Sequence, residues 1–414
     1  MARLLLLLPS ATYRAADFVA AARSLGAEIV IVSDHRLAIA PALQAESLVV
    51  DFSRPQRAAA SIVAYCRKEP VDAIVPVDDE GVVAAALAAS ELGLAHNPVE
   101  AVTATRDKAA LRRALSSGGL AQPSFRLARP TDDVVGLAAE VGWPCVLKPL
   151  SMAASRGVVR ADDARSAATA AARVRAIIAE ARPGPMEPLL IESYVPGAEL
   201  ALEGLLRGGR LEVLALFDKP DPLVGPFFEE TIYVTPSRRP TGIQRQIVRR
   251  CADAAAALGL SEGPVHAEVR LHDSEVWVID MAARSIGGLC SRSLHFGRGV
   301  SLEELLLLRA LDLPIDDLER VPDASGVMML PIPEPGVLEE VRGVEEARRV
   351  PGIEGLEITV ARGRRLLPLP EGDRYLGFLF ASGETPGDVE RALRRAQDEL
   401  EIVIRPTDED SGST

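Results

Sequence analysis

Lysine is nearly missing from this chain: of its 46 basic residues only Lys68, Lys108, Lys148 and Lys219 are lysines, and the rest are arginines. Lysine is a compact point charge on a flexible stem and arginine a planar fork, so each retained lysine marks a position to test for a need the fork would not meet. Cysteine is scarce too. Cys66, Cys145, Cys251 and Cys290 lie far apart, match no metal-ligand spacing and sit among apolar or small residues, which reads as free thiols in a reducing compartment. Basic charge is in deficit, and the net charge of -13 leaves no surface suited to nucleic acid or an anionic membrane, although a small local anion pocket stays open. No apolar run approaches the roughly 20 residues of a membrane span. The leucines at 4–8, ended by Pro9, are too few for a signal-sequence core. No G-x-G-x-x-G is present, so dinucleotide binding has no support.

What is present is a chain of 414 residues, 48% hydrophobic, long enough for about two to four domains. Strands at 4–8, 28–32 and 73–77 alternate with helices at 15–25, 57–67 and 81–92, the pattern of an open parallel α/β sheet covered on both faces. After Pro123 hairpins take over: strands at 145–149, 157–160, 189–194, 199–207 and 211–219 indicate an antiparallel α+β section. A second hairpin, 266–271 with 276–281, turns at Asp273-Ser274. From about Val321 further strands and helices read as a small α+β cap, and the polar tail 407–414 is expected to fray.

The 266–281 hairpin holds the densest chemistry. Glu268 and Asp280 fall nearly opposite each other on its two arms, with both carboxylates on one face. Such a pair suits magnesium, which prefers carboxylates plus substrate phosphates to an all-protein cage. Arg284 follows, in the place of an arginine that stabilises phosphoryl transfer; a solvated hairpin with incidental charges is the plainer alternative. Lys148 ends an apolar strand beside the small-residue loop 151–157, a combination suited to nucleotide phosphates or simply to a surface turn. Glu192 and Glu199 bracket a short turn, so that one carboxylate suits an adenine amino group, the Tyr194 and Val195 backbone the ring edge, and the other carboxylate the ribose hydroxyls. His266 reads equally as a phosphate or carboxylate contact and as a structural histidine. Lys219 stays open between a strand-end surface charge and an active-site residue.

Together these segments resemble the ATP-grasp superfamily of carboxylate-amine ligases, in particular its L-amino-acid ligases. The resemblance rests on Asp107-Lys108 opening a helix, Cys145-Val146-Leu147-Lys148-Pro149, the run from Glu192 to Glu199, His266-Ala267-Glu268, and the run from Val278 to Gly288. It implies an ATP-grasp fold: an N-terminal parallel α/β domain over 1–100, an ATP-grasp domain over 101–320 with a lid near 145–217, and a C-terminal α+β subdomain over 321–414. It also implies ATP and Mg2+, with Mn2+ as an alternative ion. Lys108, Lys148 and Ser155 would meet the phosphates; Glu192, Tyr194 and Val195 the adenine; Glu199 the ribose; Glu268 and Asp280 the metal. Arg284 would stabilise the acyl phosphate and the tetrahedral state, with Lys148 and His266 beside it as catalytic residues. Glu229 or Glu230 would hold an α-ammonium group, and Ser285, Gly287 and Gly288 would flank the acyl group. One departure stands out: the family's Glu-x-Asn-x-Arg reads Asp280-Met281-Ala282-Ala283-Arg284, so Ala282 replaces the metal-binding Asn and puts a second metal site in doubt.

The implied reaction joins a small-molecule carboxylate, activated by ATP as an acyl phosphate with release of ADP, to an amine, with amino acids as the expected substrates. No nucleic acid or membrane partner is expected, the expected location is cytoplasmic, and homodimers are common among such ligases. Two other readings stay open: a purine-type or carboxylase-type ATP-grasp ligase, and a catalytically decayed ATP-binding protein.

Overall fold

The computed structural model describes residues 2–36, 46–182, 184–315 and 318–407, so residues 408–414 of the expected frayed tail lie outside it. The first strand, Arg3–Leu7, is a leucine run buried on both faces. A strand without polar alternation needs cover on both sides. Here Leu5 and Leu7 pack under the helices Pro55–Cys66 and Val82–Leu92, and Leu4 and Leu6 against Ala15–Ser24. Its neighbours Glu28–Ser33 and Ala73–Pro76 run parallel to it, with Glu46–Val49 at the edge beyond Glu28–Ser33. This is the expected open parallel sheet.

A second, four-stranded antiparallel sheet has the order Phe125–Ala128, Leu189–Ser193, Cys145–Pro149, Val159–Ala161. Helices Val134–Val141 and Ala164–Ala181 cover it, the second through alanines at 167, 170 and 171 that permit close approach to the strands. Asp163 and Ser166 close a capping box at that helix's start, satisfying amides that would otherwise have no partner. The span 145–217 expected as a lid therefore divides between two sheets: the covered unit begins at Phe125 and ends at Ser193, while the hairpin Ala198–Arg207 with Arg210–Asp218 belongs to the next sheet. The partner of Leu189–Ser193 lies some sixty residues upstream, a pairing that local pattern does not announce.

The third sheet has eight antiparallel strands, in the order Glu275–Ala282, Gly263–His272, Ala198–Arg207, Arg210–Asp218, Ile232–Thr235, Ala324–Leu330, Gly377–Gly383 and Ile353–Ile358. The last three come from beyond residue 321, so the section expected as a cap also extends the central sheet. Three further strands, Gly336–Arg342, Arg365–Leu366 and Glu401–Arg405, form a sheet of their own. One face of the large sheet packs through Leu200, Leu202 and Leu206 against helices Lys108–Ser117 and Thr241–Leu258. On the other face Ala201 and Leu205 join a core shared with the N-terminal sheet and the helix Leu302–Ala310. Among the described residues, no helix is long and apolar enough to cross a membrane.

Candidate functional site

The strand Ala198–Arg207 alternates two buried faces, and on the Ala201 face it carries Glu199 and Glu203, both buried. Carboxylates in a fully covered strand are costly unless partnered, so this stripe needs an explanation. Register supplies it: Glu203 pairs with His266, Ala201 with Glu268 and Glu199 with Arg270. Across the next strand His266 faces Ala282 and Glu268 faces Asp280, with a bulge immediately after. The hairpin turns through Asp273 and Ser274, both at positive φ, as expected from sequence.

Lys219, which closes this stripe, is buried within 2.7 Å of Glu199 Oε1 and 3.0 Å of Glu268 Oε1, and its ammonium also donates to Glu230. Burial opposes its charge, but the three carboxylates outweigh that and hold it protonated well above the ordinary lysine range. Burial pushes the Glu230 carboxyl up. Of the two adjacent acids, then, Glu230 already holds an ammonium, whereas Glu229 lines a small cavity with Ala154, Arg374 and Tyr375. Arg270 donates to Glu199 at 2.7 Å and to the Val195 carbonyl at 2.7 Å, and its guanidinium lies 5.2 Å from the Tyr194 ring centre. It thereby ties the 192–199 turn to the sheet.

Lys148 is buried at the end of its strand, 2.5 Å from Glu192 Oε2. Burial pulls the lysine's pKa down. Glu192, which burial alone would raise, is brought below the usual carboxylate range by Arg112 and Lys148. Arg112 is fully buried, donates to Glu192 at 2.6 Å and to the Val278 carbonyl at 3.1 Å, and so bolts the helix Lys108–Ser117 to the hairpin. Lys108, first residue of that helix after the Asp107 cap, donates to the Met152 carbonyl at 2.6 Å and lies 3.9 Å from Asp280 Oδ2. Ser155, in the same loop as Met152, adopts φ +54° next to Ala154 at the same angle. Two consecutive left-handed non-glycine residues are unfavourable, a kind of strain that concentrates at functional loops. The turn Ser193–Pro196 and Trp277 line an open cavity of about 350 Å3.

Arg284 donates to Asp79 Oδ2 at 2.9 Å and to the Ser285 carbonyl at 2.8 Å, and Arg106 approaches the other Asp79 oxygen at 2.9 Å. Burial would raise the Asp79 pKa, but the two arginines hold it well below the usual range. The stability this carboxylate contributes is thus present above the ordinary aspartate pKa and is lost as pH falls below it. Ser285 is buried and its hydroxyl accepts from Arg14 at 2.8 Å. Gly288 lies against Phe378, where an added Cβ would come within 3.0 Å of the ring, and Gly287 has open space beside Arg284. His266 Nδ1 lies 3.1 Å from Glu203 and its Nε2 4.0 Å from Glu268.

Asp79, Arg106, Arg112, Arg270, Glu203 and Arg14 were not singled out from sequence. In an arginine-rich chain an arginine that reaches across domains looks like its neighbours; for Arg112, its position four residues after Lys108 on one helix face was the available signal. All four cysteines are buried and free.

Residues 141–293 match the family model described as the ATP-grasp domain, 19–96 the ATP-grasp N-terminal domain, and 328–405 the L-amino acid ligase C-terminal domain 2. This is an ATP-grasp protein. It is 28% identical over 280 residues to the alanine–anticapsin ligase of Bacillus subtilis, an alignment covering 61% of this chain and 57% of that protein. The chain thus matches somewhat over half the length of that curated relative. A solved L-amino acid ligase from Bacillus licheniformis superposes with TM-score 0.78 at 24% identity, over 98% of this chain and 99% of that one. The biotin carboxylase domain dimer of the Hydrogenobacter thermophilus 2-oxoglutarate carboxylase, solved with MgADP, superposes with TM-score 0.71 at 16% identity, over 97% and 90%. These superpositions establish the ATP-grasp fold.

Proposed function

We propose that this ATP-grasp protein is an ATP-dependent, ADP-forming ligase that joins a carboxylate to an amine, with amino acids as the substrate class. The carrying observation is that charged residues from separate segments meet around the 266–281 hairpin: Lys108 lies 3.9 Å from Asp280 Oδ2, Asp280 stands opposite Glu268, and Lys148 reaches Glu192, which Arg112 ties to the same hairpin. Lys108 and Lys148, with the 151–157 loop including Ser155, bind the phosphates; the Glu192 and Tyr194-Val195 turn with its cavity binds the base, and Glu199 the ribose. Glu268 and Asp280, opposite each other in the hairpin, would hold a hard divalent cation, and the Lys219 ammonium gathered by Glu199, Glu230 and Glu268 marks where positive charge is favoured. When bound, the ion neutralises phosphate charge. Lys108 and Lys148 orient the γ-phosphate towards the substrate carboxylate, so this step asks the protein only for position and charge. Arg284, aimed by Asp79, meets the charge that develops on the acyl phosphate and then on the tetrahedral state. Gly287 leaves room for the acyl group next to it, and Gly288 and Ser285, anchored on Phe378 and Arg14, hold that loop. Glu229 receives the substrate α-ammonium, since Glu230 already faces Lys219.

The deciding assay incubates the protein with Mg2+, ATP and a panel of amino-acid pairs. ADP and phosphate are expected; AMP and pyrophosphate would overturn the reading. Thermal stabilisation by Mg-ATP without ADP release from any pair would favour the decayed scaffold, which Ala282 is the residue to suggest. Asp79→Asn is expected to lower kcat by about 10- to 100-fold, the scale on which misplacing a catalytic group acts, while the dissociation constant for ATP stays close to wild type. Equal losses in both would show that Asp79 does not act through Arg284.

A further inference from the structure

His266 is 8% exposed and its partner Glu203 is fully buried. Glu203 Oε2 accepts from the Ile286 amide at 3.0 Å and lies 3.1 Å from His266 Nδ1, which fixes the orientation of the ring and leaves Nε2 as the nitrogen turned towards Glu268. Nε2 has no hydrogen bond among the described residues and points at Glu268 Oε1, 4.0 Å away. The Lys219 ammonium, 3.0 Å from that same oxygen, shows that a cation is accepted there. Directly opposite His266 in the hairpin register stands Ala282, whose methyl group offers no ligand atom.

We propose that His266 Nε2 is a protein ligand of the divalent cation held by Glu268 and Asp280, filling the coordination place that Ala282 leaves without a donor, with Glu203 as the carboxylate that orients it. The proposal rests on the nucleotide-and-metal reading of the site given above. Two donors bound to one ion at about 2.1 Å each lie no more than about 4.2 Å apart, so the separation of 4.0 Å between Nε2 and Glu268 requires no backbone movement. A carboxylate–imidazole–metal chain holds the ring in register and raises the basicity of the ligating nitrogen. Imidazole favours first-row transition ions over magnesium. The consequence is an ion preference, Mn2+ over Mg2+, greater than an all-oxygen site would show.

The test uses the full chain carrying 15N-histidine, with Mn2+ and ADP, in pulsed EPR. A 15N coupling from a directly bound imidazole is expected in the wild type and is expected to vanish in His266→Gln. The same variant should weaken Mn2+ binding in the ADP complex by about 10- to 100-fold, with a several-fold smaller effect on Mg2+. Glu203→Gln, which keeps an acceptor oxygen for Nδ1, should retain the coupling. Bound Mn-ADP without any histidine coupling overturns the proposal and leaves the nucleotide site standing. Failure to hold Mn2+ with ADP at all overturns both this proposal and the reading beneath it.

Discussion

Lys148→Ala is expected to lower ADP formation by about 100- to 1000-fold while the protein keeps its fold. The size follows from what a preorganised cation does in a water-excluded site: removing one such donor to developing charge costs on the order of 100- to 1000-fold. Lys148 is buried, so water does not screen it, and its charge comes at a desolvation cost that an ordinary strand-end lysine avoids. The fold should survive because Glu192 retains a second cation: Arg112 reaches it at 2.6 Å and is anchored independently to the Val278 carbonyl. Lys148→Arg should rescue little, since the fork is bulkier and the side chain is buried against Glu192. Circular dichroism and melting temperature near wild type, together with lost turnover and weakened ATP binding, make up the expected result. Turnover within tenfold of wild type would remove Lys148 from the phosphate site.

Lys219→Met should act on stability more than any other single change at the site, by about 3 to 5 kcal/mol, the scale on which breaking a buried ion pair from one side operates. The ammonium serves three carboxylates from separate segments, and methionine fills the space without replacing the charge. Glu199 would keep Arg270 as a partner at 2.7 Å, so the penalty falls mainly on Glu230 and Glu268. The sign with pH follows. Burial already raises the Glu230 carboxyl, and losing the lysine raises it further, so stability held by its protonated form is full below the ordinary glutamate pKa and is lost as pH rises through the raised one. The deficit of the variant should therefore grow as pH rises through about 8, where Glu230 ionises beside Lys219 but not without it, in thermal melts, and Mg2+ should stabilise the variant more than the wild type. A pH-independent deficit unaffected by Mg2+ would show that the lysine matters only as packing.

Much of the architecture was legible because period and burial agree. The leucine run at the start admits only a strand covered on both faces, and the bounded apolar runs with tight turns after Pro123 admit only hairpins. The opposition of Glu268 and Asp280 could be counted along two arms from one turn. The extent of the four-stranded sheet could not be counted in this way, because it depends on Phe125–Ala128 pairing with a distant strand. Nor could the extent of the large sheet, because the strands that extend it are separated from the central hairpins by the helix Leu302–Ala310 and the chain around it.

By itself the sequence determined the order of the segments, the sparse lysines at two strand and helix ends, and the acidic pair of the hairpin, since all of these depend on spacing along one stretch of chain. Only the tertiary structure decided which charges share a buried volume. It drew Lys219 into three carboxylates, bound Arg284 to Asp79 of the N-terminal domain, and locked His266 against Glu203. A buried charge requires a partner, and in a folded chain that partner is chosen by proximity in space, which the spacing of residues in sequence does not encode.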